Sequence, residues 1–272
     1  MSRDYARRSV LRVMAGAAAL LPSARSLLAQ QPPVESGPAD PLWNFDGVTG
    51  PEHWSELSPD FALCQFGMEQ SPVDLVDALK VTGSEALKLD YRPVTANVLR
   101  ADGGWTLKIA FEPGCAITIN SLTFPLTHAL LRHPSEHLLS GRALEMEIQL
   151  VHKAETGLLA HLGVFVRQGK KNDALETVLT HFPQNSTEKG SVFALAPSDL
   201  VPPVPEESKM RSFYRYMGST TVPPCTEGVV WTIFKTPVEA SAKQIRQFAS
   251  LFPANARPAN KVNRRFLLEY QG

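Results

Sequence analysis

Residues 126–137 read LTHALLRHPSEH, a β-like run with two histidines that stops at a Pro-Ser-Glu-His turn. Alternate side chains of a regular strand share a face. His128 and His133 are five positions apart, so they point to opposite faces and cannot clamp one metal ion together. Outward from this run the β signal continues in TLKIAFEP (106–113), AITINSLTF (116–124), LEMEIQLVHK (144–153), LLAHLGVFVRQG (158–169) and EGVVWTIFKTPV (227–238). These segments are short, rich in Val, Ile, Thr and aromatics, and separated by turn residues. Helical periodicity is confined to SAKQIRQFASLF (241–252), where Ser241 is an N-cap and Ile245, Phe248 and Leu251 recur on one face. The Pro-rich stretch LAPSDLVPPVPEESK (195–209) reads as a surface loop. The chain is expected to be one mainly β domain with a few short helices.

Composition narrows the function classes. The 272 residues carry 27 Lys and Arg against 27 Asp and Glu, and 43% are hydrophobic. A balanced charge gives no electrostatic reason to expect nucleic acid or an anionic membrane as partner. No apolar run in the body of the chain is long enough to span a bilayer.

The N-terminus has its own signature. Arg7 and Arg8, followed by Leu11, Arg12 and an apolar stretch from Val13 to Leu21, read as a twin-arginine export signal over residues 1–29. Cleavage falls after Ser26 or Ala29. A polar, Pro-rich linker follows (30–42), and the domain occupies 43–272. The expected location is periplasmic or secreted. Three cysteines suit an oxidising compartment, where two would pair, and spacing alone does not choose the pair.

Several motifs line up in order: WNFDGVTGPEHW (43–54), CQFGMEQSPVDL (64–75), HPSEH (133–137), LEMEIQLVHK (144–153), YRYMGSTTVPPCTEGVVW (214–231) and NARP (255–258). Together they resemble the α-class carbonic anhydrases over nearly all of the expected mature chain. The resemblance implies a large, twisted, mostly antiparallel central sheet with a conical cavity. It also implies a Cys64–Cys225 disulfide, which would contribute about 5 kcal/mol by loop closure, less any strain. Cys115 is then left as a core thiol.

In that family three histidines hold zinc, which lowers the pKa of bound water to about 7, carbonic anhydrase being the standard example of the effect. The resemblance places those ligand positions at Leu130, Arg132 and Gln149. Leucine has no donor atom, arginine is always charged and has no free lone pair, and a glutamine carbonyl is a poor zinc ligand. The sequence therefore leads to the expectation of no bound cofactor, no metal site and no CO2 hydration.

Other cavity positions are mixed. Glu136 and Thr221 match the family's Glu-Thr hydrogen-bond pair, and Glu147 its carboxylate behind the third histidine. Val151 and Trp231 match apolar walls. Val222 stands where threonine is usual and Thr220 where leucine is usual. Trp105 stands where many members place a proton-shuttling histidine. His128 replaces a cavity-facing glutamine, and His161 a small valine of the CO2 pocket. Arg132 is expected to take over the metal's charge and pair with Glu147, Glu136 or both. His53, His137, His152 and His181 are expected to be structural.

The reading is an exported binding or interaction module, its old metal position open to a small anion such as bicarbonate or a carboxylate. The alternative is an active carbonate dehydratase-type lyase or a weak hydrolase, using a rearranged metal site or His128 and His161.

Overall fold

The computed structural model describes residues 42–82, 87–183, 190–207, 210–252 and 254–271. The expected export signal and all but Leu42 of the expected linker lie outside the described residues. Among the described residues there are twelve strands: β1 (Leu79–Val81), β2 (Leu87–Asp90), β3 (Val94–Ala101), β4 (Thr106–Phe111), β5 (Ala116–Ile119), β6 (Leu122–Arg132), β7 (Met146–Lys153), β8 (Leu159–Gln168), β9 (Val192–Leu195), β10 (Phe213–Ser219), β11 (Glu227–Ala240) and β12 (Leu268–Tyr270). Four short α-helices accompany them: α1 (Trp54–Leu57), α2 (Leu63–Phe66), α3 (Asp173–His181) and α4 (Ala242–Leu251).

The strands form one sheet in the order β1-β12-β10-β11-β8-β7-β6-β4-β3-β9, with β2 and β5 attached through β6. All pairings are antiparallel except β1 with β12 and β11 with β8. The mainly β, mostly antiparallel expectation therefore holds. Strands β7 and β8 are buried along nearly their whole length; β8 reads as an almost continuous apolar run, whereas β7 (MEIQLVHK) alternates apolar with buried polar residues.

The two faces of the sheet carry different chemistry. On β7, Ile148 and Leu150 join Leu162, Val164 and Phe234 in a core covered by Leu175, Val178 and Leu179 of α3 and by Ile245 and Phe248 of α4. The alternate residues Glu147, Gln149 and Val151 lie on the other face. There, Phe165, Tyr216, Trp231 and Ile233 pack with Val73 and Leu75.

Helix α4 starts at the expected cap: the Ser241 side chain accepts from the Gln244 N–H, and Gln244 reaches back to the Ser241 N–H. Three local readings need correction. AITINSLTF is a hairpin rather than one strand, with Asn120 (φ 46°) and Ser121 (φ 72°) in the left-handed region between β5 and β6. Helix α3 is an addition, capped by Asn172 Oδ1 on the Leu175 N–H at 2.9 Å. Of the 195–209 stretch, residues 208–209 lie outside the described residues, and the rest is only partly a surface loop, because Leu195, Leu200 and Val201 are core residues.

Strand β6 decides what reaches the site. Its register with β7 shifts between Leu126 and His128. Before that bulge Phe124 and Leu126 are buried; after it Ala129 and Leu131 are. The extra residue thus switches the phase of the strand and turns His128, Leu130 and Arg132 to the Gln149 face. His133, just past the strand, goes the other way: its ring bonds the Glu145 carbonyl at 2.8 Å and packs edge-on against Phe248. The two histidines do point apart.

Candidate functional site

The site is a patch of sheet three rungs deep. Pairing across β6, β7, β8 and β11 sets His128, Val151, His161 and Trp231 in one rung and Leu130, Gln149 and Gly163 in the next. The third joins Arg132, Glu147 and Phe165. Register alone therefore brings the strand-borne positions together on one face; Trp105, Glu136, Thr220, Thr221 and Val222 lie outside these strands.

Arg132 is fully buried. Its Nη1 donates to Thr106 Oγ1 at 2.8 Å, its Nε lies 3.6 Å from Glu136 Oε2, and Nη1 lies 3.9 Å from Asp102 Oδ2. The guanidinium carbon sits 5.2 Å from the centre of the Phe45 ring, a cation–π distance. Nε and Nη2 have no hydrogen-bond partner.

Of the two carboxylates offered to Arg132 by the sequence, it contacts Glu136. Glu147 is committed elsewhere: its oxygens accept from the His137 N–H at 2.9 Å and from Gln149 Nε2 at 3.1 Å, and Oε1 lies 2.8 Å from His137 Nδ1. Burial alone would raise the Glu147 pKa. The charge and hydrogen bonds of His137, with Gln149, outweigh it and hold the carboxyl below its ordinary range. His137 continues the chain to Tyr216 Oη at 2.7 Å, and Tyr216 donates to Ser71 Oγ at 2.8 Å. Burial drives the Tyr216 phenol far above its usual pKa, so it stays protonated.

Gln149 ties the carboxylates together, since Nε2 also donates to Glu136 Oε2 at 2.6 Å. The remaining Glu136 oxygen accepts from the Arg257 N–H at 3.0 Å. The expected Glu136–Thr221 hydrogen bond is not formed: Thr221 is buried beside the site, and the carboxylate is occupied by Gln149 and Arg257.

The frame around this floor is densely bonded. Arg257 donates to the carbonyls of Ser71 and Cys64 and to Gln70 Oε1, and stacks on Trp54. Asn255 Nδ2 donates to the carbonyls of Trp105 and Leu131. Trp105 and Val222 pack against Trp43, Phe45, Trp54 and the Cys64–Cys225 disulfide, which is present as the resemblance implied. Cys115 is a buried free thiol. Thr220 Oγ1 donates to the Val222 carbonyl, and Trp231 Nε1 to the Ser219 carbonyl.

The upper rung is different. His161 is buried edge-on against Trp231 at 4.7 Å, and neither ring nitrogen has a partner. Burial, then the neighbouring His128, His152, His137 and Arg132, push its pKa well below the usual value, so the imidazole is neutral. His128 is pushed down to about 4 by burial and by Lys108 and Arg132, and its Nδ1 lies 2.9 Å from Thr127 Oγ1. No carboxylate hydrogen-bonds either ring, and among the described residues no three His, Cys, Asp or Glu side chains cluster as metal ligands.

The other histidines make packing or polar contacts away from this patch. His152 stacks on Tyr91, His181 stacks on Phe193, and His53 pairs with Glu56. Thr106, Asp102, Phe45 and Arg257 are site residues that the strand pattern did not point to.

The arrangement has clear relatives. A family model described as eukaryotic-type carbonic anhydrase matches residues 49–268. A carbonic anhydrase of Nostoc sp. is 36% identical over 233 residues, 84% of this chain and 85% of the relative. The α-carbonic anhydrase of Thermovibrio ammonificans, solved with the inhibitor sulfanilamide, superposes with a TM-score of 0.77 at 33% identity, covering 83% of this chain and 98% of the other. Dioscorin complexed with ascorbate superposes at 0.74 with 27% identity, over 84% and 98% of the two chains. The chain belongs to the α-type carbonic anhydrase family.

Proposed function

We propose that this family member has lost zinc binding and CO2 hydration and serves as an exported binding module, with a small anion such as bicarbonate or a carboxylate as ligand at the former metal position. Export is supported by the Arg7-Arg8 signal and suits a domain closed by a disulfide. Among the described residues no helix is long and apolar enough to cross a membrane.

The donor set carries the reading. Leu130 offers nothing to a metal, and Arg132 offers only N–H donors and a positive charge. Gln149 turns its amide nitrogen to Glu136 and Glu147, at 2.6 and 3.1 Å, in hydrogen bonds that knit the floor without a cation from outside. Zinc does not fit these residues. The guanidinium supplies the countercharge that Glu136 needs, and buried carboxylates without one would be costly. Its unpartnered Nη2 gives an incoming oxyanion a donor, while Nε faces Glu136 at 3.6 Å. Because Arg132 is fully enclosed, binding entails a rearrangement of the floor. Dioscorin, of the same fold, was solved with ascorbate, a small organic acid.

The test is restoration. The triple variant Leu130→His, Arg132→His, Gln149→His is expected to gain stoichiometric zinc, and with His161→Val some CO2 hydration, while the parent gains neither. Titration of the parent with bicarbonate or acetate, followed by tryptophan fluorescence, is expected to saturate, and Arg132→Leu to abolish the response. Zinc-dependent hydration by the parent, or ester turnover lost on replacing His161 or His128, would instead support the enzyme reading.

A further inference from the structure

A second concavity, of about 790 Å³, opens where residues 68–69, strand β10 and residues 263–268 meet. Its exposed lining combines three apolar side chains, Met68 (61% exposed), Met217 (44%) and Phe266 (71%), with the polar Asn263 and Arg264. Such exposure is not a by-product of looseness. Leu267 is buried in the core and Val262 packs against the same cluster, which forces Phe266, between them along the chain, outward. Arg265 then clamps the three walls to one another. Its guanidinium donates to the carbonyls of Gln70, Met217, Lys261 and Val262 at 2.7 to 3.0 Å and lies over the Tyr216 ring. The pocket is thus preformed, with its apolar side chains held open to solvent.

We propose that this pocket binds a free amphipathic organic anion, an acyl chain or small aromatic body ending in a carboxylate or sulfonate. The volume lies within the range of small-molecule sites, roughly 300–1,000 Å³. Thioether and aromatic walls adapt to apolar bodies of varied shape. Arg215, Arg264 and Arg265 line the pocket with one acid, Glu69; Arg215 is buried and Arg265 is held by backbone carbonyls, so the exposed Arg264 is the group placed to meet an anionic head. A second copy of the chain fits less well, because a stable interface needs about 800 Å² from each partner and three exposed side chains around a concavity do not supply that.

The experiment titrates the mature, disulfide-bonded protein with 1-anilinonaphthalene-8-sulfonate and displaces the probe with dodecanoate or with dodecyltrimethylammonium. The proposal expects saturable binding of one probe per chain, displaced by the anion and not by the cation. Phe266→Glu, at an exposed position that leaves the fold intact, is expected to weaken binding at least about tenfold. Arg264→Glu is expected to weaken both anions, and Arg132→Leu to leave binding unchanged, which keeps this site separate from the anion proposed at the former metal position. The proposal is overturned by absent or non-saturable binding, by equal displacement by the cation, or by an affinity that Phe266→Glu does not alter. A monomer–dimer equilibrium abolished by Phe266→Glu would overturn it in favour of self-association.

Discussion

The frame and the centre of the same site obey different rules. In the frame, Arg257, Gln70, Ser71, Tyr216, His137 and Glu147 join one another through short hydrogen bonds, Asn255 ties Trp105 to Leu131, and a disulfide closes the wall. In the centre, Arg132 has one hydrogen bond and two unpartnered nitrogens, and His161 has neither ring nitrogen paired. Buried polar groups are normally satisfied, and leaving one unmet costs about 1–3 kcal/mol. The contrast teaches that the fold needs the frame and only tolerates the centre. A scaffold whose stability resides in the frame can change the residues at its centre without unfolding.

The comparison breaks first at the frame. Replacing Cys64 and Cys225 together by Ala is expected to cost up to about 5 kcal/mol in urea unfolding under non-reducing conditions, because the bridge closes a separation of 161 residues. His137→Ala takes a buried partner from both Glu147 and Tyr216, although Glu147 keeps the residue-137 N–H and Gln149, and the expected loss is about 2–5 kcal/mol. A smaller effect belongs to the centre. Arg132→Leu is expected to cost about 1–3 kcal/mol, because Glu136 keeps its bonds from Gln149 and the Arg257 N–H. Adding Glu136→Gln to Arg132→Leu should recover much of that loss; a double variant that is additive would mean the two groups do not interact.

Acid sensitivity sharpens the same contrast. His161, His128 and His152 all have folded-state pKa values below the ordinary 6.5, with His128 at about 4 and His152 at about 3. Burial is the leading cause for each. Groups depressed in this way contribute stability that is full above pH 6.5 and is lost as pH falls through their folded values. The expected slope is about 1.4 kcal/mol per pH unit for each histidine in that window. His161→Leu should flatten the fall between pH 6.5 and 4 and leave neutral-pH stability equal or higher, since it removes two unpaired nitrogens. A steeper fall in that variant would contradict the burial account.

What the sequence makes legible follows from how locally each feature is encoded. Strands β4, β8 and β11 announce themselves because each buries Val, Ile, Leu and aromatic residues, β7 because Met146, Ile148 and Leu150 alternate, and α4 because Ser241 and Gln244 form a local cap. Helix α3 is only nine residues long and anchors through Leu175, Val178 and Leu179. Its start signals are the Asn172 cap and the acidic first turn, Asp173 and Glu176. That Leu130, Arg132 and Gln149 share one face is readable because neighbouring motifs fix the register. The partners of Arg132 are not, because Phe45, Asp102 and Thr106 come from other elements, at separations only the folded sheet closes. The Glu147–His137 pair was hidden for a similar reason: its partner lies ten residues back, across the turn between β6 and β7.

The most direct test of the central claim is zinc content. The mature protein is purified without a tag, equilibrated with excess zinc, dialysed, and assayed for metal and for stopped-flow CO2 hydration. The account predicts no stoichiometric zinc and a hydration rate equal to the buffer background. One tightly held zinc ion per chain, with hydration that a chelator abolishes, would contradict it.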